Sequence, residues 1–473
     1  MMKVLSKLIP VVSSSICLAT LTLLTSQTTL AQTSNSSGGC FQTLANADRL
    51  YLDGERTAAE QLYRQCKPSI SEQSLITFFP EPITNPTQLP PDGQVWWTEA
   101  QAGYEQNLES KLFVPLNQLI EKYPGFVPAY NLLSQALEKY DRSEEALEPL
   151  EQAATLFPFN ADIAKARVMA LREAGERLEA SIAARLFAII NPDHPEANEF
   201  KEMAEEDFKS FRRSTRREFG ITGGIGAALN LVFGGGNLLS RGLETAQFVR
   251  LLTAGEEKMG SQLAEAQIEN HTLVEDPVIV DYVKKIGEDV ANLMGRDEFD
   301  YEFYVIQDNS LNAFALPGGK VFVNTGAILA ANSEAELAGL MAHEVAHAVL
   351  SHGYQQIARS NLLATIGEVT SLGSIANLVT LNFSRNQERQ ADILATRALA
   401  GYGYAADGLY NLFATLNKQS SGSNPPEYLS THPAPQNRLQ YIQALIQRNG
   451  YNRYSYEGVE EHARIQRRLR ELR

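Results

Sequence analysis

The sequence predicts a mainly helical chain built from at least two domains, and three observations carry that reading. Pro124, Pro158 and Pro192 recur at a spacing of 34 residues, the period of stacked helix pairs. Around residue 340, Leu337, Leu340, Met341, Val345 and Val349 recur at helical spacing, and Ser333 followed by Glu336 reads as a capping box. The length, 473 residues, exceeds what one ordinary hydrophobic core holds.

Taken in order, residues 1–31 read as a signal peptide. Lys3 and Lys7 precede an apolar stretch from Leu8 to Leu24, and Thr29-Leu30-Ala31 offers a small-residue cut site. An uncleaved anchor helix is the alternative, but Ser13–Ser15 interrupt the run. Residues 32–70 predict a helical hairpin, Phe41–Leu52 and Glu55–Gln65, turning at Asp53-Gly54. Of three cysteines, Cys17 falls in the leader, which leaves Cys40 and Cys66 at the two ends of this hairpin. An antiparallel hairpin brings its ends together, so the pair predicts a disulfide in an oxidising compartment.

Residues 71–100, with Pro80, Pro82, Pro86, Pro90 and Pro91, predict a linker. Residues 101–205 hold the proline period, with Ala146 and Ala180 at the same spacing. The predicted pairs are Ala129–Lys139 with Ser143–Leu156, and Asp162–Glu173 with Leu178–Ile189. This is the tetratricopeptide period, whose stacked units commonly offer a concave surface to peptides or proteins. Residues 206–242 predict a second linker, first basic (Arg212, Arg213, Arg216, Arg217) and then apolar. Phe219–Ser240 carries no charge over 22 residues but contains seven glycines. Each interior glycine costs a helix about 1 kcal/mol, so a packed linker fits better than a membrane span, with peripheral membrane contact as an alternative.

The helix expected from Glu334 to about Ser351 contains His343-Glu344-Val345-Ala346-His347. Histidines at i and i+4 share one helix face and can reach one metal ion, while the intervening glutamate can take a proton from a water beside it. Catalytic Zn²⁺ wants a third protein ligand. A histidine six residues after His347 would supply it in one subclass, but that position is Gly353 and His352 is out of register. Glu388 opens a later helical pattern and is the preferred third ligand; Glu368, in a Gly/Ser-rich stretch, is its rival. Asp392 lies one turn beyond Glu388, where its carboxylate can accept the free N–H of a ligand imidazole. Asn361–Phe383, apolar but for Glu368, is expected to roof the site. The stretch 449–473 predicts an exposed, basic, amphipathic C-terminal helix.

These motifs, together with Leu429-Ser430-Thr431-His432-Pro433-Ala434-Pro435-Gln436-Asn437-Arg438-Leu439 and Asn312-Ala313-Phe314-Ala315-Leu316-Pro317-Gly318-Gly319, resemble the HtpX and CAAX prenyl protease family of zinc endopeptidases. The likeness runs from near Leu243 to near Arg448, the expected peptidase domain being 243–448. The resemblance implies an α+β, gluzincin-type fold with a small sheet. It implies one Zn²⁺ per chain, held by His343, His347 and Glu388, with Glu344 as general base. It implies His432 near the metal, as oxyanion donor or as a ligand closing the resting site, with Asp392 and Arg438 in support. Asn312, Ala313, Phe314 and Ala315 would form the strand edge that holds substrate. Membrane-embedded members carry several long apolar spans and this domain has none, so the chain is closer to exported, peripheral members with tetratricopeptide repeats. Those members imply envelope quality control and outer-membrane assembly machinery as partners.

A net charge of −15 excludes general nucleic-acid binding. The reading is therefore an exported, periplasmic or membrane-peripheral zinc endopeptidase acting on protein substrates. The competing reading is a repeat-based, chaperone-like adaptor with latent proteolysis; an intact Glu344 argues against a pure pseudoenzyme.

Overall fold

The computed structural model describes residues 37–67, 79–218, 251–252, 254–364, 383–419, 428–429, 432 and 437–472. The expected leader, the whole Gly-rich segment, Glu368 and most of the expected roof lie outside the described residues.

The N-terminal hairpin is α1 (Ser37–Leu52) and α2 (Arg56–Cys66), turning at Gly54 with φ +85°. Its ends carry Cys40 and Cys66, bonded, with Cα atoms 5.6 Å apart. Next come α3 (Pro91–Gln106), α4 (Glu109–Lys122), α5 (Val127–Lys139), α6 (Ser143–Leu156), α7 (Ala161–Glu173), α8 (Arg177–Ile190) and α9 (Ala197–Glu218). Neighbouring helices pack in succession through small residues such as Ala129, Ala146, Ala180 and Ala184, all buried. Two expected linkers are shorter than the composition suggested. Residues 91–100 are helical because Pro91 occupies the first turn, where its missing N–H costs nothing. The basic residues Arg212–Arg217 belong to α9, whose other face buries Phe200, Ala204 and Phe211.

The second half is α+β and mainly helical. It contains α10 (Glu256–Asn270), α11 (Pro277–Ala291), β1 (Glu302–Ile306), β2 (Ala313–Leu316), β3 (Lys320–Asn324), α12 (Thr325–Ala330), α13 (Glu334–Val349) and α14 (His352–Ala364). It continues with α15 (Arg385–Tyr402), α16 (Gly408–Gln419), α17 (Arg438–Arg448) and α18 (Val459–Glu471). The strand order is β1-β3-β2, with β1 parallel and β2 antiparallel to β3. The β2–β3 turn is tight because Gly318 sits at φ +72°. An isolated bridge from Leu273 to Ile306 covers the outer side of β1, so β2 forms the other edge.

Helix α13 is the centre of this half, and every one of its residues is buried. A helix enclosed on all sides must have small residues where neighbours cross and partners for each polar group. Gly339 supplies the first need, since a Cβ there would lie 2.6 Å from the Leu409 backbone. Ser333 caps the start by accepting from Glu336 N–H, and Tyr404 donates to Glu334 at 2.9 Å.

Helix α18 is docked rather than exposed. Val459, His462, Ile465 and Leu469 are buried, and His462 Nδ1 lies 2.8 Å from the Tyr282 hydroxyl of α11. The N-terminal hairpin docks beside it through a buried ionic cluster in which Lys67 pairs with Asp407 at 2.7 Å and with Glu457. Asp48 accepts from the backbone N–H groups of Glu457 and Val459. The helical stack meets the second half through α8, where Arg185 donates to Ser351 at 2.9 Å.

Candidate active site

Helix α13 places His343 and His347 one turn apart, with their Nε2 atoms converging at 3.0 Å. Helix α15 crosses α13 and brings up Glu388 in its first turn, behind a capping box made by Ser384 and Gln387. Glu388 lies 3.5 Å from His343 Nε2 and 3.4 Å from His347 Nε2. His432 approaches from the remaining side, Nδ1 2.9 Å from Glu388 Oε1 and Nε2 3.6 Å from Glu344 Oε1. Ligand atoms of His343, His347, Glu388 and His432 all lie within 4.8 Å of one another. Three imidazoles and one carboxylate form a donor set suited to zinc.

The surroundings hold these donors in place. Asp392 Oδ1 lies 2.9 Å from His343 Nδ1, the nitrogen turned away from the cluster. Arg438 donates to both Asp392 oxygens, at 2.8 and 2.6 Å, and its Nη2 lies 3.1 Å from Glu388. Its guanidinium rests 3.7 Å over the Phe413 ring. Tyr428 donates to Glu344 Oε1 at 3.1 Å and stacks on His432 with centroids 4.4 Å apart. Glu344 Oε2 is buried with no hydrogen-bond partner among the described residues. A carboxylate oxygen left bare in a buried site is costly. It marks a place for a water or a cation, and in that respect the residues fit a zinc site.

Burial opposes ionisation of Glu388, but the His432 and Arg438 charges and two histidine hydrogen bonds hold its carboxyl well below the usual range. Burial also works against charge on His343, yet Asp392 and Glu388 overcome it and raise its pKa to about 9. A proton and a cation therefore compete for the same place. His347 is pushed down by burial, and Glu344 is pushed up by burial.

The structure thus brings together His343, Glu344, His347, Glu388, Asp392, His432 and Arg438. Asn312, Ala313, Phe314 and Ala315 lie on and just before β2, which packs near α13. Their link to the cluster runs through Leu311, whose carbonyl accepts from Tyr428 N–H at 3.2 Å. Sequence reading passed over Tyr428, set His352 aside as out of register for a third ligand, and named Phe383 only as the end of the expected roof. Phe383 stacks on His347 with centroids 3.9 Å apart. Tyr428 stands four residues before His432, whose backbone N–H donates to the Tyr428 carbonyl at 2.9 Å; that spacing was the available signal.

Residues 280–446 match the model of peptidase family M48. Over this segment the chain is similar to the M48 peptidases. A "Putative beta-barrel assembly-enhancing protease" of Vibrio cholerae is 31% identical over 193 residues, 36% of this chain and 40% of that protein. The "Beta-barrel assembly-enhancing protease" of Escherichia coli K12 is 26% identical over 210 residues, covering 40% and 43%. The human "Metalloendopeptidase OMA1, mitochondrial" is 28% identical over 176 residues, covering 32% and 33%. The chain spans about two fifths of the length of the first two of these curated relatives. Among the described residues, no helix is long and apolar enough to cross a membrane.

Proposed function

We propose that this chain is an exported zinc endopeptidase acting in envelope protein quality control, with its helical stack, read as tetratricopeptide-like, recruiting substrates or outer-membrane assembly partners. The observation that carries the chemistry is the convergence of His343, His347, Glu388 and His432 within 4.8 Å, beside a carboxylate one of whose oxygens has no hydrogen-bond partner among the described residues. The names of the Vibrio and Escherichia relatives support the envelope setting.

In this reading His343, His347 and Glu388 hold the ion. When bound, zinc lowers the pKa of a water and polarises the scissile carbonyl. Glu344 takes the proton of the attacking water on its free oxygen and passes it to the leaving amine. Tyr428 fixes the other oxygen of Glu344, so the carboxylate does not turn. Asp392, braced by Arg438, orients His343. Extended peptide adds as a strand along β2, at Asn312–Ala315. His432 stands between Glu388 and Glu344 and closes the resting site, which gives an exported protease a restraint on its activity.

The test is metal analysis with casein cleavage on the mature protein. The wild type is expected to hold one zinc and cleave, and Glu388→Ala to lose both. Full zinc occupancy in Glu388→Ala would remove Glu388 from the ligand set and leave Glu368 as the rival.

A further inference from the structure

One fully buried histidine beside the site has no part in the chemistry above. His352 opens α14 immediately after the turn that ends α13. Ser351 makes that turn at φ +60°. Its hydroxyl accepts from Arg185 at 2.9 Å and Arg296 at 3.2 Å, and donates to Glu256 at 2.8 Å. So many buried partners fix the turn, and with it the direction of the His352 ring. That ring lies with Nδ1 3.0 Å from His347 Nδ1 and Nε2 3.1 Å from Gln390 Oε1.

With Gln390 Oε1 facing His352, the protons along this row of groups can be counted. An amide oxygen only accepts, so His352 Nε2 carries a proton and donates to Gln390. In the neutral ring Nδ1 is then a lone pair, and it can only accept. His347 Nδ1 must therefore carry a proton, which leaves His347 Nε2 bare. Nε2 is the nitrogen that faces His343 and Glu388. Turning the Gln390 amide over would reverse both protons and block His347 Nε2 with hydrogen, which a metal ligand cannot bear.

We propose that His352 is a positioning residue for His347: it accepts the Nδ1 proton and so fixes the tautomer and ring angle that present Nε2 to the cation. Asp392 does this for His343 with a carboxylate; His352 does it with a neutral ring. The inference rests on the zinc reading of the site.

Zinc affinity of the full mature protein, measured by competition with a chromogenic chelator, tests it. His352→Leu removes the acceptor at similar volume, whereas His352→Asn keeps an oxygen where Nδ1 stood. His352→Leu should bind zinc about 10–100-fold more weakly, the usual effect of losing such a partner, and His352→Asn should recover most of that loss. Wild-type affinity in His352→Leu, or equal weakening in both variants, would overturn the proposal and leave a packing role. Should His352→Leu fail to fold, Gln390→Leu at the half-buried end of the chain takes its place. There a several-fold loss supports the proposal and an unchanged affinity overturns it. A wild-type protein that takes up no zinc would refute the zinc reading itself, a separate result.

Discussion

Arg438→Met should destabilise the zinc-free protein severely and the zinc-loaded protein less. Arg438 is almost fully buried and serves two buried carboxylates, Asp392 through both oxygens and Glu388 at 3.1 Å. Methionine keeps much of the packing on Phe413 but leaves Asp392 and Glu388 facing each other without the cation between them. Breaking a buried ion pair from one side costs about 3–5 kcal/mol; Asp392 keeps His343 and Glu388 keeps its three histidine contacts, which puts this change at the lower end. A bound zinc ion would return positive charge to Glu388 and offset part of the loss. Denaturant unfolding followed by circular dichroism, with and without a chelator, gives both numbers. A zinc-free Arg438→Met protein within about 0.5 kcal/mol of wild type, the range of ordinary surface changes, would refute the reasoning. So would a loss equal in the two states.

Three further outcomes are expected. His432→Ala should raise basal cleavage while one zinc stays bound, because His432 sits against both Glu388 and Glu344; a fall of roughly 10²–10³ would make it an oxyanion donor instead. Mass spectrometry of unreduced, alkylated protein should show Cys40 joined to Cys66, and Cys40→Ser should cost about 3 kcal/mol; two free thiols at these positions would end that reading. Burial pushes the His462 pKa down to about 4 against its two carbonyl hydrogen bonds. Between about pH 6.5 and 4 the unfolded chain therefore binds the extra proton, and stability falls as the pH falls, by at most about 3 kcal/mol. His462→Gln should flatten that part of the curve of unfolding midpoint against pH, and an unchanged slope would contradict it.

The helical elements were legible where the signal was local. Ser333 with Glu336 and the stripe from Leu337 to Val349 define α13 from neighbours within a few turns. The same holds for the helix pairs between Pro124 and Pro192. Composition misled where one residue type has two uses. Prolines that suggested a linker include Pro91, which starts α3. Arginines that suggested a basic linker line the solvent side of α9, and those that suggested an exposed C-terminal helix lie opposite its buried stripe of Val459, His462, Ile465 and Leu469. The cluster at the site could be nominated from spacing and resemblance, but the groups that brace it depend on contacts remote in sequence. Tyr428 reaches Glu344 across 84 positions, and His352 reaches Gln390 across 38; no periodicity in one sequence encodes such pairs.

The central claim is that Glu344 acts as a base beside a zinc ion held by others. Zinc content and casein cleavage measured side by side on wild type and Glu344→Gln test it most directly. Glutamine preserves the shape and the Tyr428 contact at Oε1 while removing the proton acceptor. The account predicts one zinc per chain in both proteins and a loss of about 10²–10⁴ in rate for the variant. A folded, zinc-loaded Glu344→Gln protein that cleaves at the wild-type rate would contradict it.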